Sequence, residues 1–391
     1  MDIDFNFNKI IDRHNTGSLK YDCCKQRGRP EGIIPMWIAD MDFKTHPRII
    51  EALRSVAEHG IYGYSEPQLE YFPAMKNWFS RRFNFHITEE SHFQTPGIVF
   101  ALAHAIKAFT KENDAIIIQQ PVYYPFIEII NKNNRKLINS PLIFDGERYR
   151  MRFEDFEQKI IDNKVVMFML CSPHNPVGRV WHPDELKRIG DICLKHGVIV
   201  VADEIHADFV YSNSKHHVFS TVDPKFADIS MICTSRGKSF NQAGLQVSDI
   251  FVTNSDMRAR ICDQIEMSGY SQRNTFGLVG AKVAYECGEE WLDALLIYLE
   301  SNRDFVATYL KTNLPEIKVT RCEGTFLAWL DFRSLKLSQD ELNKKIVSKA
   351  NLWLDCGRIF GDEGIGFQRL NFACSRAVLE NSLSLLTRIK S

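Results

Sequence analysis

The chain has 391 residues, of which 45% are hydrophobic and 25% are charged, and its formal net charge is −1. This composition is typical of a globular protein of one or two domains, and the balanced charge argues against a nucleic-acid partner. Its apolar runs are shorter than the roughly 18 residues of a membrane helix, and its acidic N-terminus lacks a signal-peptide pattern. We therefore expect neither a membrane anchor nor nucleic-acid binding.

Ten cysteines are scattered along the chain without a CxxC pair. Several, such as Cys171, Cys233 and Cys374, lie in apolar segments and are typical of small core residues. This pattern favours a reducing compartment, so we expect a cytoplasmic protein. The segments Cys23-Cys24 and Asp40-Met-Asp42 each resemble part of a metal site. Neither has further ligands nearby, so we expect no metal.

Short β-branched runs alternate with helical stretches between about residues 93 and 255. In chain order, the pattern predicts helix 97–110, strand 115–118, helix 123–132, strand 165–170, helix 184–195, and strands 198–202, 229–232 and 249–252. Continuously apolar strands are typical of a sheet that is covered on both faces. The pattern therefore predicts an α/β fold with a mostly parallel sheet and helices on both faces.

The pattern changes after about residue 285. Residues 289–314 have the apolar spacing of one long helix, and residues 325–330 form a further candidate strand. We predict a large domain over residues 46–284. The predicted smaller α/β domain combines residues 1–45 with residues 285–391.

Polar residues follow three of the predicted strands. Asn175, Asp203 and Lys238 each lie just past a strand, where parallel sheets bind ligands. Gly97 precedes a helix whose free N–H groups suit a phosphate. Each residue alone could be a cap or a turn residue. Together they supply what pyridoxal 5′-phosphate (PLP) requires: an amine, a carboxylate for the ring nitrogen, a donor for the phenolic oxygen and an anion site.

The segment Gly237-Lys-Ser239 also resembles the end of a P-loop. That motif requires a glycine five residues before Gly237, and Ile232 stands there instead. We therefore expect no nucleoside-triphosphate site around Lys238.

Nearly the whole chain resembles the PLP-dependent class I/II aminotransferase-like family of fold type I. More narrowly, it resembles the cystathionine β-lyase (cysteine C–S lyase) branch of that family. The segments that carry the resemblance are PMWIADMDF (35–43), YGYSEP (62–67), TPGIVFAL (95–102), QPVYYPF (120–126), SPHNPVGRVW (172–181), ADEIHADFVY (202–211), SRGKSFNQAGLQ (235–246) and RLNFACSR (369–376).

The resemblance implies roles for the residues of the PLP ring site. Lys238 would hold PLP as a Schiff base and would later remove the Cα proton of the substrate. Asp203 would face the ring nitrogen, and its charge would keep that nitrogen protonated. Asn175 would bind the phenolic oxygen beside the substrate, and Tyr123 would stack on the ring. We expect Glu204, next to Asp203, to be structural.

The resemblance also implies a phosphate site and a homodimer. The implied residues around the phosphate are Gly97, Ile98, Val99, Ser235 and Gln246. Many aminotransferases of the family have arginine at the position of Gln246 and tyrosine at the position of His206, whereas the lyase branch has the residues seen here. Tyr64 would reach the phosphate of the partner subunit, so that only a dimer completes the site.

Arg369 would bind the α-carboxylate of the substrate, because a guanidinium group matches a carboxylate with two parallel hydrogen bonds. Arg376 is the competing candidate. Ala39 would lie near the substrate in the N-terminal segment IADMDF. His216 and His217 lie in a polar loop, and we expect both to be solvated.

The implied reaction is α,β-elimination on a cysteine S-conjugate such as cystathionine, which gives a thiol, pyruvate and ammonia. An aminotransferase is the main alternative, because the fold alone does not determine the reaction. A non-catalytic, PLP-bound regulatory protein is the second alternative.

Overall fold

The structure is a computed structural model that describes residues 5–390. The helices are α1 (Pro47–His59), α2 (Tyr71–Phe83), α3 (Ile98–Phe109), α4 (Tyr124–Lys132), α5 (Phe153–Asn163), α6 (Pro183–Lys195), α7 (Phe219–Val222), α8 (Arg236–Ser239), α9 (Ser255–Glu266), α10 (Thr275–Cys287), α11 (Glu289–Asn313), α12 (Gln339–Ser348) and α13 (Arg376–Leu386). Within residues 5–390, none of these helices has the length and apolar character needed to cross a membrane.

The strands are β1 (Ile34–Pro35), β2 (His92–Thr95), β3 (Ala115–Ile118), β4 (Lys136–Asn139), β5 (Ile143–Phe144), β6 (Tyr149–Arg150), β7 (Val165–Cys171), β8 (Ile199–Asp203), β9 (Ser230–Thr234), β10 (Ser248–Phe251), β11 (Lys318–Val319), β12 (Leu327–Asp331), β13 (Leu352–Trp353), β14 (Asp355–Cys356) and β15 (Phe367–Asn371). Five predicted strands correspond to β3 and β7–β10, with ends displaced by at most two residues. The predicted long helix corresponds to α11.

A seven-stranded sheet has the order β2-β10-β9-β8-β7-β3-β4. All its neighbouring strands are parallel except β10, which runs antiparallel to both β9 and β2. The predicted α/β fold with a mostly parallel sheet is confirmed. The reversal at β10 was not predicted. The segment that connects β9 to β10 contains only the short helix α8 and a 3₁₀ turn, without the long crossover helix that usually joins parallel strands.

Alternate side chains of the central strands point to opposite faces of the sheet. In β7, Met167 and Met169 pack into the apolar cluster that contains α3, α4 and α9. Phe168 and Leu170 pack into a second cluster, on the side of α5 and α6. Both faces of the strand are therefore buried, which explains its continuously apolar sequence.

The C-terminal part of the chain contains an antiparallel sheet of order β11-β12-β15-β14. The N-terminal segment joins it through β1, which pairs with β13 in parallel. A single apolar cluster contains Phe168 of the large sheet and Trp329 of the small sheet. Because the packed core continues between them, the domain limits 46–284 and 285–391 stay a prediction.

Candidate active site

Lys238 lies in the four-residue helix α8, which begins directly after the central strand β9. Ser235 caps this helix: its Oγ accepts a hydrogen bond from the N–H of Gly237 at 3.0 Å and donates to the carbonyl of Val247 at 2.8 Å. The side chain of Lys238 is partly buried, and its Nζ donates to the backbone carbonyl of Ala39. The amine of Lys238, which is predicted to be reactive, therefore contacts the N-terminal segment around Ala39 that is expected near the substrate.

Asp203 is the last residue of β8, and it is buried. Its Oδ1 accepts a hydrogen bond from the N–H of Ile205 at 3.1 Å. Burial raises the pKa of Asp203 to about 7 and lowers the pKa of Lys238 to about 8. Desolvation thus favours the neutral form of both groups. A cation placed beside Asp203 would restore its negative charge.

One cavity contains both of these side chains. The predicted residues that line it are Ala39, Gly97, Ile98, Val99, Tyr123, Asn175, Asp203, His206, Ser235, Lys238 and Gln246. Sequence reasoning missed further lining residues, among them Cys171, Gln242 and Ser248. Cys171 is a buried core residue, as expected, and it also borders the cavity, where its Sγ accepts from the N–H of Asn175 at 3.4 Å.

The N-terminus of α3 forms one part of the cavity wall, where Gly97 precedes Ile98 and Val99. The first N–H groups of a helix have no partner within the helix, so they can bind an anion. Among the described residues that line the cavity, Lys238 is the only lysine or arginine. An anionic group at this end would therefore depend mainly on N–H groups and hydroxyls.

Arg369 lies in β15 with a buried side chain, and it forms an ion pair with Asp355. Its Nη1 donates to Oδ1 of Asn175, a cavity residue, at 2.8 Å. Arg376 instead donates from Nε to Asn302 at 2.9 Å and lies against α11. The geometry therefore favours Arg369 over Arg376 as the arginine beside the cavity.

His206 is buried, and its Nδ1 has no hydrogen-bond partner among the described residues. Burial lowers its pKa well below the ordinary value, and the nearby charges of Lys238 and Arg369 act in the same direction. The imidazole is therefore neutral at the cavity wall. Tyr123 also lines the cavity, and burial raises the pKa of its phenol, which keeps it protonated.

The expectation that His216 is solvated is wrong. His216 is buried, and its Nε2 lies 2.8 Å from Oε2 of the buried Glu204. The other carboxylate oxygen of Glu204 accepts from the N–H of Phe219 at 2.8 Å. Val218 and Phe219 are buried as well, so they draw the polar loop inward and place the histidine next to the carboxylate. His217 is only partly exposed.

Two predicted features lie outside the cavity. Tyr64 is 91% exposed, so within one chain its side chain is free of the site, and its proposed role in a partner subunit stays a prediction. Asp40 and Asp42 each form ion pairs with both Arg13 and Lys20. Within residues 5–390, no group of three or more His, Cys, Asp or Glu side chains is arranged to hold a metal.

Two asparagines that were not predicted hold the backbone around Ala39. Nδ2 of Asn371 donates to the carbonyls of Ile38 and Asp40, each at 2.7 Å. Nδ2 of Asn241 donates to the carbonyls of Met41 and Phe43, at 2.8 and 2.9 Å. In the sequence, Asn371 is marked only by its position two residues after Arg369, and Asn241 only by its position three residues after Lys238.

The donor set of the cavity fits PLP. Asp203 is a carboxylate whose pKa is raised by burial, and a protonated ring nitrogen would place a cation beside it. Lys238 supplies the amine, and the start of α3 supplies N–H groups for a phosphate. The residue types that line the cavity are therefore those that a PLP site requires.

The family model "Aminotransferase class I and II" matches residues 32–386. The chain belongs to this family. The chain is 39% identical over 378 residues to cystathionine beta-lyase PatB of Bacillus subtilis (strain 168), and the alignment covers 97% of this chain and 98% of PatB.

Solved structures agree with this relationship. Cystalysin from Treponema denticola, which contains a PLP cofactor, superposes with a TM-score of 0.96 at 35% identity over 99% of each chain. The PLP-bound C–S lyase from Staphylococcus hominis in complex with L-cycloserine superposes with a TM-score of 0.91 at 30% identity over 98% of each chain. The predicted resemblance to the C–S lyase branch is confirmed.

Proposed function

We propose that this protein is a PLP-dependent carbon–sulfur lyase that acts on cysteine S-conjugates such as cystathionine. Its products are a thiol, pyruvate and ammonia. The observation that carries this proposal is the common cavity of Lys238 and Asp203, in a chain 39% identical to a cystathionine β-lyase. The neutral His206 and the amide Gln246, at positions where aminotransferases of the family have tyrosine and arginine, also support elimination.

Bound PLP supplies an electron-withdrawing ring that stabilises negative charge at Cα of an amino acid. Asp203 would hold the ring nitrogen in its protonated form by its negative charge. Tyr123 would stack on the ring face, and Asn175 would donate to the phenolic oxygen. The helix α3, Ser235 and Gln246 would bind the phosphate, as their positions along the cavity wall allow.

Arg369 would orient the substrate by binding its α-carboxylate, while its contact with Asn175 keeps the guanidinium group at the cavity. Its ion pair with Asp355 holds the side chain in one orientation. Ala39 and its neighbours would cover the substrate. This covering excludes water, which strengthens the electrostatic interactions inside the site.

Lys238 would act as the general base on the bound substrate. Its lowered pKa of about 8 makes the neutral amine accessible near physiological pH, so the amine can take the Cα proton. The electrons of the Cα–H bond then form a Cα=Cβ bond while the Cβ–S bond breaks and the thiolate leaves. Lys238 holds the proton that it removed and can return it to the leaving group. Water hydrolyses the released 2-aminoacrylate to pyruvate and ammonia.

The decisive experiment incubates the PLP-loaded protein with L-cystathionine and follows pyruvate and free thiol. We expect equal amounts of both products without any added 2-oxo acid. A strict requirement for a 2-oxo acid would instead identify an aminotransferase. The absence of turnover with every amino acid tested, despite bound PLP, would favour a regulatory protein.

Two finer features belong to the same proposal. A homodimer is proposed because Tyr64 is largely exposed and would complete the phosphate site only in another subunit. A cytoplasmic location is proposed because the ten cysteines are scattered and those in the described chain are free thiols.

A further inference from the structure

Asp208 connects the loop after β8 with the helix that carries Lys238. Its Oδ2 accepts a hydrogen bond from Nη1 of Arg236 and another from Oγ of Ser239, both at 2.5 Å. Arg236 and Ser239 are the first and last residues of α8, so they stand on either side of Lys238. Asp208 is only 4% exposed, which protects both contacts from water.

The helix α8 needs such support, because it has only four residues. A single helical turn is unstable by itself, since its few hydrogen bonds do not offset the loss of backbone entropy. Ser235 caps its N-terminal end, and backbone hydrogen bonds from Phe240 and Gln242 close its C-terminal end, but neither of these holds the side chain of Ser239. The hydroxyl of Ser239, directly after Lys238, is held by Asp208.

The side chain of Arg236 is held in one place by aromatic rings. Its guanidinium carbon lies 5.4 Å from the ring centroid of Trp78, 5.5 Å from that of Phe79 and 5.2 Å from that of Tyr285. A buried cation needs a carboxylate partner, and Asp208 supplies it. A buried pair of this kind is weak evidence for added stability, and in some proteins it fixes a unique geometry instead.

Asp203 precedes Asp208 by five residues in the same segment. One short stretch of chain thus carries both the carboxylate for the ring nitrogen and the anchor of the lysine helix. We infer that Asp208 is a positioning residue that sets the place of the Lys238 amine relative to Asp203, acting through Ser239 and Arg236. This inference rests on the proposed function.

The variant Ser239→Ala tests the inference with the least disturbance. It removes the hydroxyl that Asp208 holds but leaves the Asp208–Arg236 charge pair intact. We expect kcat for cystathionine to fall about 10-fold, because a misplaced base loses much of its effective concentration. We expect KM to change by less than about twofold, since Arg369 remains in place. The kinetic isotope effect with cystathionine deuterated at Cα should rise, because proton removal by Lys238 becomes slower.

A matched control is Ser382→Ala in α13. Ser382 is also fully buried, and its Oγ donates to the carbonyl of Val378 at 2.8 Å. This change removes one buried hydroxyl without touching α8, so kcat and the isotope effect should stay at the wild-type values. An equal response in both variants would overturn the inference, because a general loss of rigidity would then explain the effect.

A second measurement does not depend on lyase activity. The apoprotein is mixed with PLP, and the rate of covalent attachment at Lys238 is followed by absorbance. We expect this rate to fall several-fold in Ser239→Ala and to remain unchanged in Ser382→Ala. Wild-type protein that attaches PLP but releases no pyruvate would overturn the proposed function, and the attachment rates would still decide the role of Asp208. Unchanged attachment and an unchanged isotope effect in Ser239→Ala would overturn the inference.

Discussion

At Lys238 and Asp203, burial brings the pKa values of an amine and a carboxyl group close together. The pKa of Lys238 falls to about 8 and that of Asp203 rises to about 7. Both residues were predictable from the sequence, because each lies just past a strand and the carboxyl ends of parallel strands meet at one edge. The burial of His216 was not predictable, because its partner Glu204 lies in a different segment and only the fold brings them together.

The first prediction at this scale is a pH dependence of PLP attachment. Only the neutral amine attacks an aldehyde, and Lys238 becomes neutral as the pH rises through its pKa. The attachment rate to the apoprotein should therefore rise with pH and level off above a midpoint near pH 8. Stopped-flow absorbance measures this curve. A midpoint near the ordinary lysine value of about 10.4 would contradict the lowered pKa.

Replacement of the amine itself gives the second prediction. Lys238→Ala should abolish the absorbance of lysine-bound PLP and the mass increase after borohydride reduction. Pyruvate release should fall by about 100- to 10,000-fold, the usual contribution of a general base. Mass spectrometry locates the reduced PLP in the wild-type protein, and its appearance on another lysine would reject the assignment.

The two candidate arginines are separated by a third prediction. Arg369→Lys should raise KM for cystathionine by about 10-fold, because lysine cannot form two parallel hydrogen bonds with the α-carboxylate. Arg376→Lys is the matched control and should leave KM near the wild-type value, since Arg376 contacts α11 and not the cavity. The reverse pattern in steady-state kinetics would assign the carboxylate to Arg376.

At the scale of elements, the continuously apolar runs predicted β7, β8 and β9 well, because strands buried on both faces carry no polar alternation. The two-residue strands β1, β13 and β14 were not predicted, since such short pairs have no periodicity to detect. The strand β10 was predicted, but its antiparallel direction was missed, because the direction depends on the connection and not on the residues of the strand. The segment around Ala39 was predicted only through the resemblance, and its anchors came from the structure.

The fourth prediction concerns the anchoring of this segment. Asn371→Ala removes the side-chain donor to the partly buried carbonyls of Ile38 and Asp40, and the acceptor of the buried N–H of Ala373, while the carbonyl of Ile38 keeps its bond from the N–H of Asp40. Stability should fall by about 1–3 kcal/mol, the usual net contribution of two to three hydrogen bonds. KM should rise while PLP attachment stays unchanged, because the segment covers the substrate side. Asn313→Ala is the control, since Asn313 donates to the carbonyl of Tyr309 in an exposed position. Thermal unfolding and steady-state kinetics measure both variants.

For the whole molecule, the fold follows from the sequence because the βα alternation, the long helix α11 and the strand ends all indicate the same architecture. The division into two domains was harder to predict from the sequence, because one apolar cluster contains side chains of both sheets. Tyr64, which is exposed in the single chain, is the residue that would take part in a site shared between subunits.

The fifth prediction tests this sharing. Tyr64→Ala and Lys238→Ala should each lose most activity as separate homodimers. When the two variants are unfolded and refolded together in equal amounts, about half of the dimers should be mixed, each with one intact site. Activity should then recover to about one quarter of the wild-type value. No recovery in a mixture that forms heterodimers would show that Tyr64 does not complete the partner's site.

The anchoring of Ala39 also bears on how the protein matures in the cell. Met36 receives a backbone hydrogen bond from Asn371 and donates one to Trp353, so an early segment of the chain is bound by two of its late strands. During synthesis, β8 and β9 leave the ribosome before these late strands exist. We therefore expect the segment around Ala39 to reach its place against Lys238 only after β15 has left the ribosome.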